Sequence, residues 1–259
     1  MVKLVSFDKR NKIAIYEANP PVKILCLGDI HLGNPATTFK LENFKFNEHY
    51  FVLLGDLLEM VTKNSPGMLY HQESPAKQVD KLKAFLEKYS GRVLGLVSGN
   101  HDDRVSREVG VDVLEMLCER FQIPYSPHFL IIHISLSKGG RRNSIVLALH
   151  HGVAGGRSKS ASVRQGEYFE RFLSHGVDIY VSGHTHKPTL VPFSHRFYDV
   201  RRKKLEYVEG LLVTVPSFLK DDYFSLKRMF EANSLQIPSL TLDLDLRYSK
   251  RKVVCSTLV

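Results

Sequence analysis

The feature that most constrains this chain is a recurrence: five short apolar runs each lead into a glycine-containing turn bearing side chains that ligate metals. In order these turns are Gly28-Asp29-Ile30-His31, Gly55-Asp56-Leu57-Leu58-Glu59, Gly99-Asn100-His101-Asp102, His150-His151-Gly152 and Gly183-His184-Thr185-His186. The preceding runs, residues 22–27, 51–54, 93–97, 144–149 and 177–181, are aliphatic and β-branched and read as buried strands, as do 130–134 and 211–215. Helical periodicity lies between them. Its clearest stretch is 74–91, with Ser74 as N-cap, Pro75 at the first helical position, Gly91 as stop and a buried stripe of Val79, Leu82, Phe85, Leu86 and Tyr89. Further helices are expected over 112–121 and around 167–173. Strands alternating with helices imply a layered α/β domain, in which groups at the carboxyl ends of the strands gather in one crevice.

After residue 188 the helical patterns fade, and Leu240, Leu242, Leu244 and Leu246 alternate with Thr241, Asp243 and Asp245 as in a half-buried, antiparallel strand. Residues 1–7 and 13–16 around 8–12 read as an opening hairpin available to pair with these late strands. No linker rich in Pro, Gly or Ser divides the chain and no internal repeat is seen. One domain over 1–259 is therefore expected, with a motif-bearing core at 22–190 and closing strands at 205–259.

Asp-x-His offers a hard carboxylate and an imidazole from alternate positions of one extended segment, and His-x-His offers two imidazoles in the same way. Mixed oxygen and nitrogen ligands suit manganese, iron, zinc or nickel better than calcium or magnesium. Any one pair alone is as readily two structural histidines; five at successive strand ends are not. The ordered set resembles the calcineurin-like metallophosphoesterase superfamily, whose motifs run D-x-H, G-D-x-x-D/E, G-N-H-D/E, H and G-H-x-H. The resemblance spans about 160 of the 259 residues.

It implies a two-sheet β-sandwich flanked by helices, which accommodates the late alternating strand better than a doubly wound sheet. Position by position, it implies one metal on Asp29, His31, Asp56 and His186, and a second on Asp56, Asn100, His151 and His184, with Asp56 bridging. Of the adjacent His150 and His151 only one can normally ligate; His151 is preferred because it abuts the turn at Gly152. His101 matches the histidine that assists the leaving group, with Asp102 expected to orient it. Glu59 carries no implied metal role and is read as a salt-bridge or helix contact. The implied cofactors are two divalent ions, manganese foremost, which lower the pKa of a shared water to about 7 and offset charge developing in an in-line displacement. No nucleophilic serine or cysteine is required.

The partner is less sharply marked. Lys and Arg number 36 against 27 Asp and Glu, a formal charge of +9, which favours polyanions. The first motif is similar to that of double-strand-break repair nucleases. Together these give a phosphodiester as the expected substrate, with DNA or RNA as its extended form. The competing readings are a small-molecule or nucleotide phosphoesterase, a protein phosphatase, and a non-catalytic scaffold, the last opposed by the full ligand set. Arg157, Lys159 and Arg164, on and after the glycine-containing stretch 155–160, are the expected substrate contacts. Arg104 and Arg107 stand in similar reach, although basic residues on helix surfaces ordinarily face water. The basic run 201–204 reads as a solvated hairpin tip. Three scattered cysteines and the lack of a long apolar run fit a soluble protein of the reducing cytoplasm.

Overall fold

The computed structural model describes residues 1–41, 44–64, 72–153, 158–220, 234–245 and 250–258, without the side chains of Lys159, Asp245, Lys250, Arg251 and Lys252. Two sheets face one another. The first contains β1 (Val2–Asp8), β2 (Ile13–Ala18), β7 (Phe129–Lys138), β8 (Arg141–His150), β9 (Ile179–Ser182), β11 (Lys204–Thr214) and β10 (Thr189–Asp199), in that spatial order. The second runs β13 (Lys250–Leu258), β12 (Ile237–Asp245), β3 (Val22–Leu27), β4 (Tyr50–Leu53), β5 (Val93–Val97) and β6 (Tyr125–Ser126).

The strand sequences explain the layering. Ile24, Cys26, Val52, Leu54 and Val97 point from the second sheet into the space between the two, where they meet Ile132, Ile134, Leu147, Leu149 and Val181 of the first. Alternate residues Leu25, Leu27, Phe51, Leu53 and Leu96 face the other way, under α1 (Pro75–Tyr89) and α3 (Val113–Phe121). These central strands are apolar on both faces because both faces are covered. A smaller cluster, Ala148, Tyr180 and Leu212 against Phe169, seats α4 (Lys159–Phe172) on the outer face of the first sheet. The arrangement is a β-sandwich between helical layers.

The late alternating strand is β12, antiparallel to β3 with Leu240 opposite Ile24, and Leu240, Leu242 and Leu244 are buried. The opening hairpin forms as β1 and β2 but does not join the late strands. Instead β2 runs parallel to β7, Ile13 opposite Ile131, because Ala14, Tyr16 and Ala18 then enter the inter-sheet core and Tyr16 Oη donates to the Leu94 carbonyl at 2.6 Å. In α1 the stripe Leu82, Phe85, Leu86 and Tyr89 is buried as read, Val79 is partly covered, and the polar Gln78 is buried with them. The helix expected near 167–173 begins at Lys159. Its buried face includes Ser162, Gln165 and Gly166, the last against Leu212, so apolar periodicity understates it. A short helix, α2 (Asp103–Val109), follows the third motif and was not expected. The basic run caps the β10–β11 hairpin, as read. Among the described residues, no helix is long and apolar enough to cross a membrane.

Candidate metal centre

Strands β3, β4 and β5 are parallel neighbours, so the turns after them emerge at one end of the second sheet. In the first sheet β8 and β9 are also parallel, with His150 opposite Ser182. The turns are laced together. Asp29 N–H donates to the Gly55 carbonyl at 2.9 Å, His31 N–H to the Asp56 carbonyl at 2.9 Å, and Leu32 N–H to the Leu57 carbonyl at 2.8 Å. Across the sheets, His184 N–H donates to Asp29 Oδ2 at 2.9 Å, while His101 N–H donates to Asp56 Oδ1 at 2.8 Å.

Asp29, His31, Asp56, His184 and His186 have left-handed backbones, at φ of 49, 53, 47, 70 and 59°. Each non-glycine residue so held costs about 1–3 kcal/mol, sustained only where surrounding bonds over-determine it. Two glycines are there for space: a Cβ on Gly183 would lie 2.6 Å from Asp29 Oδ2, and one on Gly99 would strike the Asp56 carboxylate.

These turns bring side chains into three groups with donor atoms within 4.8 Å of one another, His31–Glu59–His101 and the two that carry expected ligands throughout, Asp29–His31–His186 and Asp56–His151–His184. Asp56 Oδ2 lies 3.4 Å from His151 Nε2 and 4.0 Å from His31 Nε2, between the groups. Asn100 Oδ1 is 3.1 Å from His151 Nε2. The outward nitrogens are occupied: His151 Nδ1 faces the Leu54 carbonyl at 2.7 Å and His31 Nδ1 faces Glu59 Oε2 at 2.9 Å. With hydrogens on those Nδ1 atoms, both Nε2 lone pairs turn inward. Inward, His31 Nε2 meets His186 Nε2 at 3.5 Å and His151 Nε2 meets His184 Nδ1 at 3.2 Å.

Nitrogens paired this closely need a hydrogen or a cation between them, and the buried carboxylates call for positive charge. Burial alone would raise the carboxyls of Asp29 and Asp56. His186 beside the first, and His151, His101 and His31 around the second, hold both below the usual carboxylate range. Burial opposes charge on His151 too, yet Asp56 overrides it and pushes the imidazole up to about 10. Divalent cations, which replace protons on such ligands, fit this donor set. His150 stands apart: its Nδ1 accepts from Gly152 N–H at 2.7 Å, its ring lies against Phe169, and burial and His151 push it down to about 4.

A family model described as calcineurin-like phosphoesterase matches residues 22–188. The chain belongs to that family. No curated protein matches it. Among solved structures, a conserved Streptococcus pneumoniae protein described as a predicted phosphoesterase is 13% identical, covering 93% of this chain and 91% of its own, at a TM-score of 0.40. A Thermotoga maritima protein solved by NMR is also 13% identical, covering 92% of this chain and 99% of its own, at a TM-score of 0.33. As a calcineurin-like phosphoesterase, the chain is a metal-dependent hydrolase of phosphate esters.

Around the two ligand groups, this phosphoesterase uses residues that sequence reading weighed differently. Asp102, expected to orient His101, does not face it. Its carboxylate accepts from Leu58 N–H at 2.9 Å and Gly99 N–H at 3.0 Å, clamping the second and third turns together. Burial and the Asp56 charge push this carboxyl up to about 7. Glu59 faces His101 instead, Oε1 lying 3.3 Å from Nδ1, while its other oxygen holds His31. Burial opposes ionisation of Glu59, but those two histidines hold it below the carboxylate range.

Arg104, in the first turn of α2, donates to the Glu59 carbonyl at 2.8 Å and reaches His101 Nε2 at 3.0 Å. Gln78 Oε1 accepts from Glu59 and Met60 N–H, both at 3.0 Å, tying α1 to the second turn. A glutamate and an arginine placed one helical turn or less from site residues were the only sequence signal for this network; Gln78 had none. Among the expected substrate contacts, Arg164 is exposed on α4, whereas Arg157 and the Lys159 side chain lie outside the described residues.

Proposed function

We propose that this phosphoesterase is a dinuclear phosphodiesterase. On this reading Asp29, His31, Asp56 and His186 hold one ion, and Asp56, Asn100, His151 and His184 hold the other, manganese being the favoured metal for a mixed oxygen and nitrogen set. Bound there, the ions supply a water nucleophile at neutral pH and neutralise charge on the phosphoryl oxygens. The chain's own residues do the rest. His101 presents Nε2 3.9 Å from Asp56 Oδ2, on the side of the site where a departing oxygen can receive its proton. Glu59 fixes that imidazole through Nδ1. Asp102 keeps the turns carrying Asp56 and Asn100 at fixed separation.

The observation that favours a diester is a cavity of about 360 Å³ opening beside Asn100, His151 and His184 and walled by Arg107, His128 and Val153. A monoester has no second organic group to place there, whereas a diester does. That volume lies within the range of small-ligand pockets. The test is hydrolysis by the manganese-loaded protein of bis(p-nitrophenyl) phosphate against p-nitrophenyl phosphate. We expect kcat/KM to favour the diester by about 10-fold or more, an advantage of roughly 1.4 kcal/mol. Preference for the monoester would overturn the diester reading.

In its extended form the diester lies in DNA or RNA. This rests on the formal charge of +9, with Arg157, Lys159 and Arg164 as the proposed backbone contacts. A cytoplasmic setting is in keeping with three free cysteines.

A further inference from the structure

We propose that Arg104 is a substrate-binding residue whose guanidinium passes from His101 to a phosphoryl oxygen when the ester enters. This rests on the reading of His101 as the group serving the departing oxygen. The Arg104 side chain is 13% exposed and that of His101 19%. Nη1 is anchored on the Glu59 carbonyl at 2.8 Å, with Glu59 Oε1 at 3.5 Å, and Nη2 points to His101 Nε2 at 3.0 Å.

Arginine can only donate, so in this arrangement Nε2 accepts and the imidazole hydrogen is on Nδ1, toward Glu59. Nε2 is also the atom that must serve the departing oxygen, and an imidazole nitrogen has a single in-plane bonding direction, which Arg104 occupies here. The resting contact and the catalytic one are therefore mutually exclusive. When His101 turns Nε2 to the ester, the Nη2 donor loses its acceptor.

A charged donor this sheltered from water does not stay unpaired without a large penalty. The ester supplies the replacement. Nη2 is one hydrogen bond from Nε2, and Nε2 is one hydrogen bond from the departing oxygen. The phosphoryl group thus arrives within about 6 Å of Nη2, a gap closed by rotation about the outer bonds of the arginine. Nη1 keeps its hold on Glu59, so the fork is aimed before substrate arrives. The guanidinium is the side-chain group best matched to phosphoryl oxygens.

A competing role is that Arg104 merely braces His101 and Glu59. Calorimetric titration of inorganic phosphate into the manganese-loaded full chain separates the two, because it requires no turnover. For Arg104→Gln we expect phosphate affinity to fall about 10- to 100-fold, the scale of one charge-assisted hydrogen bond. Metal content should be unchanged, and KM for bis(p-nitrophenyl) phosphate should rise in parallel. Arg104→Lys retains the charge and should recover part of the affinity; it serves as the deciding variant should the glutamine variant unfold on heating at lower temperature than wild type. Phosphate affinity within about twofold of wild type in the folded variants, with only kcat reduced, would overturn the proposal. Wild-type protein that binds phosphate through Arg104 but hydrolyses no ester would instead sink the reading of the function and leave this inference standing.

Discussion

Asp56 and Glu59 sit three positions apart on one turn and do different work. Asp56 Oδ2 faces His151, His101 and His31 at 3.4, 3.9 and 4.0 Å, between both ligand groups, whereas Glu59 touches the site only through the far nitrogens of His31 and His101. Asp56→Asn should accordingly empty both metal positions together, measured as metal per chain by elemental analysis. Glu59→Gln should leave the second position filled and weaken the first by about 10- to 100-fold, as loss of a carboxylate behind a ligating imidazole does. Equal loss of both metals in Glu59→Gln would mean that Glu59 ligates directly. The same substitution replaces the charged acceptor behind His101 with a neutral amide, so turnover should fall even at saturating metal. The expectation that Asp102 performs this task failed for a geometric reason. Asp102 directly follows His101 and its carboxylate is buried under the Leu58 and Gly99 amides, while Glu59 arrives opposite the imidazole from another strand end.

At the scale of elements, the site depends on how helices brace turns that have no regular structure of their own. Gln78 shows this best: from the buried face of α1 it caps the amides of Glu59 and Met60 and donates to the Glu73 carbonyl at 2.8 Å. Met60 itself holds a φ of 43°, and Gln78 adds to the bonds that Leu32, Asp102 and Arg104 make with the same turn. Gln78→Leu keeps the volume and the helix propensity but takes the acceptor from the buried Met60 amide, while the Glu59 amide keeps the Leu32 carbonyl at 3.0 Å. We expect a stability loss of about 1–3 kcal/mol, the cost of one orphaned buried donor. Urea unfolding of the metal-free chain measures it, and a loss below about 0.5 kcal/mol would show that the turn finds other partners. The helix N-cap at Asp112, by contrast, follows an ordinary local rule, its side chain accepting from Glu115 N–H at 2.9 Å.

Over the whole molecule, the proposed metal ligands divide between the two sheets. Asp29, His31, Asp56 and Asn100 follow strands of the second, and His151, His184 and His186 follow strands of the first. Metal bound among them ties the sandwich together at one end and should stabilise folding by mass action. At free metal about 100-fold above its dissociation constant the gain is about 2.7 kcal/mol, or roughly 5–10 °C in Tm for a chain this size. Thermal unfolding with and without chelator measures this, and an unchanged Tm would show that the two ligand groups do not bind metal in the folded protein. The charge of +9 is testable at the same scale. If the substrate is a nucleic acid held by about four phosphate contacts, binding by Asp56→Asn protein should fall with salt at a log-log slope of roughly −3 on single strands. Neutralising Arg157 and Lys159 should flatten it by about 1 to 2. A flat response from the start would favour a small diester.

Much of this protein is decided locally and is therefore readable along the chain. The strands β3 and β5 begin and end where their apolar runs do, and α1 follows its Pro75 start and its periodicity, because burial and the fixed proline φ act over a few neighbouring residues. Ser74, however, makes no side-chain capping bond, and the helix ends at Tyr89, before Gly91. The motif spacing likewise announces the ligand types, since a turn after a parallel strand can only present what the next two or three residues carry. What the sequence could not reveal are contacts made across long separations. The parallel seam between β2 and β7 joins residues more than a hundred positions apart, and α4 is seated by buried Ser162 and Gln165 that no apolar pattern flags. Glu59 reads as a salt-bridge or helix contact and Arg104 as a helix-surface base within reach of phosphate, while Gln78 carries no signal. Only the packed turns, which bring these polar groups out of water and give each of them several partners, make them parts of the site.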